Sequence, residues 1–380
     1  MKQVYFDNAA TTPMRKEVIE RMTQVMINNY GNASSTHSFG RSSKSLLEQS
    51  RKTIAKLLNA NPSEIVFTSG GTEADNLALR SAVRDLDVKR IITSRIEHHA
   101  VLHTAEQLEK EYGITVEYVN LTKGGVIDYQ NLELLLNNPV KSLVSLMHVN
   151  NEVGNLLDLK RVADLCKTYN TLFHSDTVQS VGHFKIDVQD IPIDFMAVSA
   201  HKFHGPKGVG FAYIRRDSGL KPLIFGGEQE RGYRAGTESI HNIAGLETAL
   251  KLAYEHLEED KQKVLELKTY FINQLEENIQ GITFNGCCAD TVSSTYTVIN
   301  ACLPIPPEKA QILDFQLDLK GIACSRGSAC QSGSSTGSHV LATILSEEDL
   351  KKPSVRFSLS HFNTKEEVDY VIDVLTSFLE

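Results

Sequence analysis

Two patterns of apolar and polar residues recur along this 380-residue chain, and one predicts strands while the other predicts helices. Short continuous apolar runs are typical of buried strands, and apolar residues at helical spacing separate most of these runs. The strand-like runs of the first two thirds cover residues 64–68, 90–93, 115–119, 142–147, 172–174, 193–198 and 209–214. Strands that alternate with helices predict an α/β fold, with a mostly parallel sheet and helices on its faces.

Helical spacing predicts early helices over 16–28 and 44–58, and the polar stretch 31–43 is expected to be a loop. Helical patterns over 246–278 then lead into shorter β-like and helical segments. Because the pattern changes after about residue 254, we predict a large domain over 16–254 and a separate, smaller α+β domain that follows it.

Composition narrows the classes of function. A formal net charge of −8 argues against a general binder of nucleic acids or anionic membranes. Asp7 and Asn8 interrupt the N-terminus before a signal-peptide apolar region develops, and no apolar run approaches the length of a membrane span, so we expect a cytosolic protein. Six cysteines in a chain of this length are not a disulfide scaffold, and none has the spacing of a metal site.

A glycine turn follows the strand at 64–68, with the sequence Ser69-Gly70-Gly71-Thr72-Glu73-Ala74-Asp75. Thr72 with Asp75 three residues later predicts the cap of a helix. Glycines at a helix start let backbone N–H groups point at an anion, and the helix dipole favours a phosphate there. A plain capped helix without a ligand explains the same residues almost as well.

Polar residues also follow several other predicted strands, which points to one shared crevice at their carboxyl ends. These residues are Glu97-His98, the run 148–152, the run 176–179 and Lys202. A buried aspartate such as Asp176 needs a cationic partner, and a protonated pyridine nitrogen is one. Lys202 with Asp176 is the pair that pyridoxal phosphate (PLP) needs, although a solvated loop lysine and a turn aspartate remain alternatives.

Taken together, these motifs resemble the PLP-dependent cysteine desulfurases of the NifS/IscS group, in the class V aminotransferase family. The resemblance covers essentially the whole chain. It is carried, in order, by residues 67–76, Glu97-His98, 147–152, 176–182 and 199–208. It implies a fold-type I PLP-dependent transferase, in which the N-terminal arm (1–15) joins residues 255–380 to form the small domain.

The resemblance also implies roles for residues at the cofactor. Lys202 would bind PLP covalently and move protons, Asp176 would pair with the pyridinium nitrogen, and His98 would stack on the ring and act as an acid or base. The other implied contacts are Gln179 and Asn151 on the ring-oxygen side, and Gly71, Thr72, Ser199 and His201 at the phosphate. Thr237 resembles a threonine that reaches the phosphate of the neighbouring subunit, which implies an obligate homodimer.

Two further residues are implied to act on the substrate. Arg356 would bind the substrate carboxylate, together with Asn151, and Cys330 matches the cysteine that receives sulfur. Nine of the fourteen residues over 325–338 are Ser or Gly, which favours a flexible loop around Cys330. Cys324, by contrast, is expected to be packed at a strand end.

The expected reaction converts L-cysteine to L-alanine and leaves a persulfide on Cys330. The sulfur would then pass to an acceptor protein, such as an iron–sulfur scaffold or a tRNA-thiolation enzyme. Three alternatives stay open: a selenocysteine lyase, another aminotransferase of the same fold, and a non-catalytic scaffold of a sulfur-transfer complex.

Overall fold

The computed structural model describes residues 2–310, 312–325 and 337–379. After a short strand β1 (Val4–Tyr5), seven strands form one large sheet. They are β2 (Ile65–Thr68), β3 (Arg90–Thr93), β4 (Thr115–Tyr118), β5 (Ser142–Ser145), β6 (Leu172–Asp176), β7 (Phe195–Ser199) and β8 (Gly210–Ile214). Their order is β2-β8-β7-β6-β5-β3-β4, and β8 alone runs antiparallel to its neighbours. The predicted α/β fold with a mostly parallel sheet is therefore confirmed.

Helices cover both faces of this sheet. They are α1 (Lys16–Asn28), α2 (Ser38–Leu57), α3 (Gly71–Asp85), α4 (His99–Tyr112), α5 (Tyr129–Leu136), α6 (Leu159–Thr168) and α7 (Ile240–Glu255). Successive residues of a strand point to opposite faces, so Leu143 joins the apolar core under α3 and α4, whereas Val144 joins the core on the other face. Burial on both faces explains why these strands read as continuous apolar runs.

The rest of the chain builds a core of its own, called the second core below, apart from the apolar layers on the two faces of the large sheet. The elements of this part are α8 (Leu257–Asn278), β9 (Thr283–Phe284), β10 (Val298–Cys302), α9 (Pro307–Ala310), α10 (Leu313–Leu319), β11 (Ile322–Ala323), α11 (His339–Ile344), β12 (Ser354–Ser358) and α12 (Lys365–Leu379). Helix α11 packs instead with Ile96 and Val153 in a small separate cluster. Strands β12, β10 and β9 form an antiparallel sheet, and β1 pairs in parallel with β11. Phe6 packs against Phe271 and Phe357, so the N-terminal arm shares this core.

Two of the predicted boundaries are wrong. Helix α2 begins at Ser38, within the expected loop 31–43, because His37 accepts a hydrogen bond from the backbone N–H of Gly40 and caps the helix. The first of the helices predicted over 246–278 begins earlier, at Ile240, and it meets the second at His256. The chain turns there because α7 packs on the large sheet, whereas α8 packs on the second core.

Across the described ranges, no helix combines the length and the apolar character needed to cross a bilayer.

Candidate active site

The carboxyl ends of the parallel strands open into a cavity of about 590 Å³. Ten of the twelve residues predicted to form the site line it: Gly71, Thr72, His98, Asn151, Asp176, Gln179, Ser199, His201, Lys202 and Arg356. Loops at the ends of β2, β3, β6 and β7 supply most of these side chains, as expected for an α/β sheet. Cys330 and most of the predicted flexible loop lie in residues 326–336, outside the described residues.

Lys202 occupies a short turn of 3-10 helix, Ala200–Lys202, directly after β7. Its Nζ donates hydrogen bonds to the backbone carbonyl oxygens of Ala9 and Ala10, at 2.6 and 2.8 Å. The N-terminal segment therefore positions the amine from nearly two hundred residues away. Sequence reasoning missed this segment as part of the site, although its run of small polar residues was visible.

The same segment orients two more predicted residues. Gln179 donates from Nε2 to the carbonyl oxygen of Ala9 at 2.9 Å. Nδ1 of His201 lies 3.1 Å from the hydroxyl oxygen of Thr11. Burial, aided by the charge of Lys202, lowers the pKa of His201 to about 4, so this imidazole is neutral at physiological pH.

Asp176 is the last residue of β6, and only 5% of its surface is exposed. Its Oδ1 accepts a hydrogen bond from the backbone N–H of Val178 at 2.9 Å. Burial raises the pKa of Asp176 to about 6, although that hydrogen bond and the charge of Lys202 oppose the rise. The carboxylate is thus ionised near neutral pH and attractive to a buried cation.

His98 is the N-cap of α4, and its Nδ1 accepts a hydrogen bond from the backbone N–H of Ala100 at 3.1 Å. This bond requires the proton of a neutral imidazole to sit on Nε2. Burial, followed by the charge of Lys202, lowers the pKa of His98 to about 4. The ring is therefore neutral and can stack or exchange a proton.

The turn between β2 and α3 lies very close to Val178, in the turn after β6. The N-cap of α3 is Gly70, so the predicted cap formed by Thr72 and Asp75 is wrong: Thr72 lies inside the first helical turn and Asp75 is buried. A Cβ added to Gly71 would lie only 2.5 Å from Cγ2 of Val178. The first N–H groups of a helix have no partner within the helix, which makes this turn suitable for a phosphate.

Arg356 lies in the middle of β12 and is 1% exposed. Its guanidinium donates to the carbonyl oxygen of Asn151 at 2.8 Å and to Oδ1 of Asp7 at 2.9 Å. Nε is buried and has no hydrogen-bond partner among the described residues. An arginine has five N–H donors, so this fork retains capacity for a carboxylate in the cavity.

Thr237 lies outside the main cavity. It lines a second cavity of about 160 Å³, which shares Ser69 and Gly208 with the first. The segment before it is anchored by a buried ion pair, in which Arg51 donates two hydrogen bonds to the carboxylate of Glu230, at 2.7 and 2.8 Å. Thr237 is thus adjacent to the site without contributing to the cavity of its own chain.

These features fit PLP as the cofactor. The cavity offers a lysine amine, a buried ionised carboxylate and a neutral imidazole. Gly71 lets the turn at the start of α3 lie against Val178, where a Cβ would collide, and a helix start of this kind is suited to a phosphate. The donor set is one of nitrogen and oxygen groups suited to an anionic, aromatic ring system.

Comparison with known proteins agrees with this geometry. The family model described as aminotransferase class-V matches residues 4–371. The chain is 40% identical to a protein named cysteine desulfurase IscS from Dictyoglomus turgidum, over 100% of this chain and 95% of that one. It is 41% identical to one of the same name from Clostridium botulinum, with the same coverage. A solved structure titled NifS-like protein superposes with a TM-score of 0.90, at 34% identity over 100% of this chain and 99% of the other.

Proposed function

The chain belongs to the class-V aminotransferases, in their cysteine desulfurase group, and from that premise we propose that it converts L-cysteine to L-alanine and holds the sulfur as a persulfide on Cys330. The observation that carries the proposal is that Lys202, Asp176 and Arg356 line one cavity. A basic amine, a buried carboxylate and a carboxylate-binding fork are what an amino-acid reaction with PLP requires.

PLP would be held by groups that the site already orients. Lys202 would bind it covalently, Asp176 would pair with its ring nitrogen, and His98 would stack on its ring. The remaining contacts would come from Asn151 and Gln179 at the ring oxygen, and from Gly71, Thr72, Ser199 and His201 at the phosphate. When bound, PLP supplies an electron sink that acidifies the substrate Cα–H and weakens the Cβ–Sγ bond.

Separate residues of the chain bind the substrate, transfer protons and attack the sulfur. Arg356, with Asn151, binds the carboxylate of L-cysteine and fixes the substrate's orientation. Lys202 takes the proton from Cα, and the neutral ring of His98 is available to accept or donate a second proton. The Cys330 thiolate attacks Sγ of the substrate, so that an S–S bond forms on Cys330 and the Cβ–Sγ bond breaks with its electron pair left on the carbon side. Protonation of Cβ then completes alanine, which leaves.

A competing thiol lies close to Cys330 in the sequence. Burial, with smaller contributions from Asp314 and Asp7, raises the pKa of Cys324 to about 12. Because the thiolate is the nucleophile, Cys324 is a poor candidate for sulfur transfer. This supports Cys330 as the acceptor.

The assembly is proposed to be a homodimer, in which Thr237 of the partner subunit reaches the phosphate. The position of Thr237 outside the main cavity, yet next to residues shared with it, supports that role. The sulfur is proposed to pass to an acceptor protein, such as an iron–sulfur scaffold or a tRNA-thiolation enzyme. A cytosolic location is proposed as well, because the cysteines of the described residues are unpaired thiols, typical of a reducing compartment.

The proposal is tested by supplying L-cysteine to the wild type, Lys202→Ala and Cys330→Ser, and measuring alanine and sulfide. We expect the wild type to release both under a reductant, and both variants to lose at least about 100-fold in rate, as for other nucleophile and base deletions. Consumption of L-cysteine by Cys330→Ser at the wild-type rate, without release of sulfide, would indicate an aminotransferase-like reaction. A strong preference for selenocysteine would indicate a lyase for that substrate, and a chain that binds no PLP would indicate a scaffold.

A further inference from the structure

A chain of buried polar groups lies beside Asp176 and is not used by the reaction described above. Asp75 of α3 is 1% exposed, and its Oδ1 lies 3.3 Å from Nε2 of His174. His174 is fully buried two residues before Asp176, on the same side of β6. Its Nδ1 lies 2.8 Å from the hydroxyl oxygen of Ser145, at the end of β5.

The two atoms that face each other at 3.3 Å have no other hydrogen-bond partner among the described residues. Leaving a buried polar atom unsatisfied costs roughly 1–3 kcal/mol. A proton shared between Asp75 and His174 satisfies both atoms. The question is which of the two residues carries it.

The surrounding charges answer this question. Asp75 is faced by His174 and Asp176 from β6, and by Glu97 from the turn after β3. Burial, followed by the charge of Asp176 and, at a pH where it is ionised, that of Glu97, raises the pKa of Asp75 well above its usual range. Burial lowers the pKa of His174 to about 3, so its ring is neutral.

A neutral His174 can meet Asp75 in two ways. If Nε2 donates to an ionised Asp75, the carboxylate places a second buried negative charge beside Asp176. If Nε2 is bare, Asp75 is a carboxylic acid that donates to it, and the pair adds no charge. Because like charges in a buried site oppose each other, the second arrangement is favoured.

We propose that Asp75 is a neutral carboxylic acid that donates a hydrogen bond to Nε2 of His174. Of the two neighbouring aspartates, Asp75 and Asp176, only Asp176 is then ionised. His174 then donates from Nδ1 to Ser145, so that the strand ends of β5 and β6 are linked to α3. Asp75 is a positioning residue for Asp176, and its importance for catalysis, though not its protonation, rests on the proposed function.

The first test is infrared difference spectroscopy of the purified chain near neutral pH, wild type against Asp75→Asn. We expect the carbonyl stretch of a protonated carboxylic acid in the wild type and its loss in the variant, whether or not PLP is bound. Glu97→Gln is the matched control, since it should remove a different carboxylic-acid band and leave that of Asp75. A spectrum in which Asp75→Asn removes an ionised carboxylate band instead would overturn the proposal.

The second test is the pH dependence of the absorbance of bound PLP. Asparagine is neutral and similar in shape to a protonated aspartate, so Asp75→Asn should shift the midpoint of this absorbance titration by less than about half a pH unit. If Asp75 were ionised, its loss would shift the midpoint by about one pH unit or more. Asp176→Asn, which removes a charge, is the comparison and should shift it strongly. If no variant shows a PLP spectrum, the proposed function fails, while the infrared result still decides the protonation of Asp75.

A third readout needs no variant. Nitrogen-15 NMR of labelled histidine in the wild type should show His174 with a bare Nε2 and a protonated Nδ1. The opposite tautomer would contradict the proposal even if Asp75→Asn failed to fold.

Discussion

Arg356, which we propose binds the substrate carboxylate, shows how a single buried charge is held in place. It is paired with Asp7, whose Oδ1 also accepts a hydrogen bond from the hydroxyl of Ser325 at 2.7 Å. A buried arginine without a counter-charge would be costly, so Asp7 keeps the guanidinium in place. The same contacts hold the fork rigidly, which lowers the entropy lost when a carboxylate binds.

Arg356→Lys should therefore impair substrate binding more than cofactor binding. An ammonium cannot replace a planar fork, and a lost charged hydrogen bond is worth about 1.5–3 kcal/mol, so we expect kcat/KM for L-cysteine to fall roughly 10- to 100-fold. Steady-state kinetics measure this, with PLP absorbance as the check on the cofactor. Arg161→Lys, on the exposed side of α6, is the matched control and should leave kcat/KM unchanged. An unchanged value for Arg356→Lys would remove Arg356 from the substrate site.

Glu97 offers a test of the buried electrostatics beside the cavity. Burial raises its pKa from 4.5 to about 8, opposed by hydrogen bonds from the hydroxyl of Ser94 and the backbone N–H of Met147. The folded state thus binds this proton more tightly than the unfolded state. The contribution to stability is fully present at low pH and is lost as the pH rises from about 4.5 to about 8.

Glu97→Gln, which stays neutral, should remove that dependence. We expect the free energy of unfolding of the wild type, relative to the variant, to fall by a few kcal/mol between about pH 5 and about pH 9. Urea unfolding of both proteins across this range measures it. If the free energies of unfolding of the two proteins changed with pH in parallel over this range, Glu97 would be ionised in the folded chain.

At the scale of elements, the site depends on how closely the turn before α3 approaches the turn after β6. Gly71→Ala would push a Cβ to within 2.5 Å of Val178, whose branched side chain is stiff. Overpacking of this kind costs about 1–3 kcal/mol, so PLP affinity should fall roughly 5- to 100-fold. Titration of the chain with PLP, followed by absorbance, measures this.

The partner residue supplies the control. Val178→Ala removes the contacting methyl group, so the double variant Gly71→Ala/Val178→Ala should regain most of the affinity that Gly71→Ala loses. If the double variant binds PLP as poorly as Gly71→Ala, the two turns do not compete for this space.

The sequence predicts helices and strands well where the local pattern of apolar residues determines them. The buried strands and α1 follow from apolar periodicity, and the chemistry of their ends follows from their position on a parallel sheet. The start of α2 was missed because it depends on a histidine cap, and histidine is an uncommon N-cap. The carbonyl groups of Ala9 and Ala10 were missed because only the folded chain brings them to Lys202.

Asp75 illustrates the same limit. Its spacing from Thr72 predicted a cap, but Gly70 fills that position and Asp75 is buried against His174. Nothing in the local sequence distinguishes a capping carboxylate from a buried one. The distinction requires knowing which strand packs on the helix.

At the scale of the whole molecule, the large sheet and the second core meet around the cavity. Residues of the large sheet supply Lys202 and Asp176, while Arg356 comes from β12 of the second core. We propose that the division falls as the sequence predicts, with 16–254 in one domain and 1–15 with 255–380 in the other. The pairing of β1 with β11 supports the assignment of the N-terminal arm. Substrate would then contact both domains.

The central claim is that sulfur leaves L-cysteine and is captured by Cys330. The most direct measurement is a single turnover with sulfur-35-labelled L-cysteine, followed by mass analysis of the peptide that contains Cys330. We predict one extra sulfur, carrying the label, on the Cys330 peptide of the wild type and none on that of Lys202→Ala. Label on Cys324 instead, or alanine formed with no label on the protein, would contradict the account.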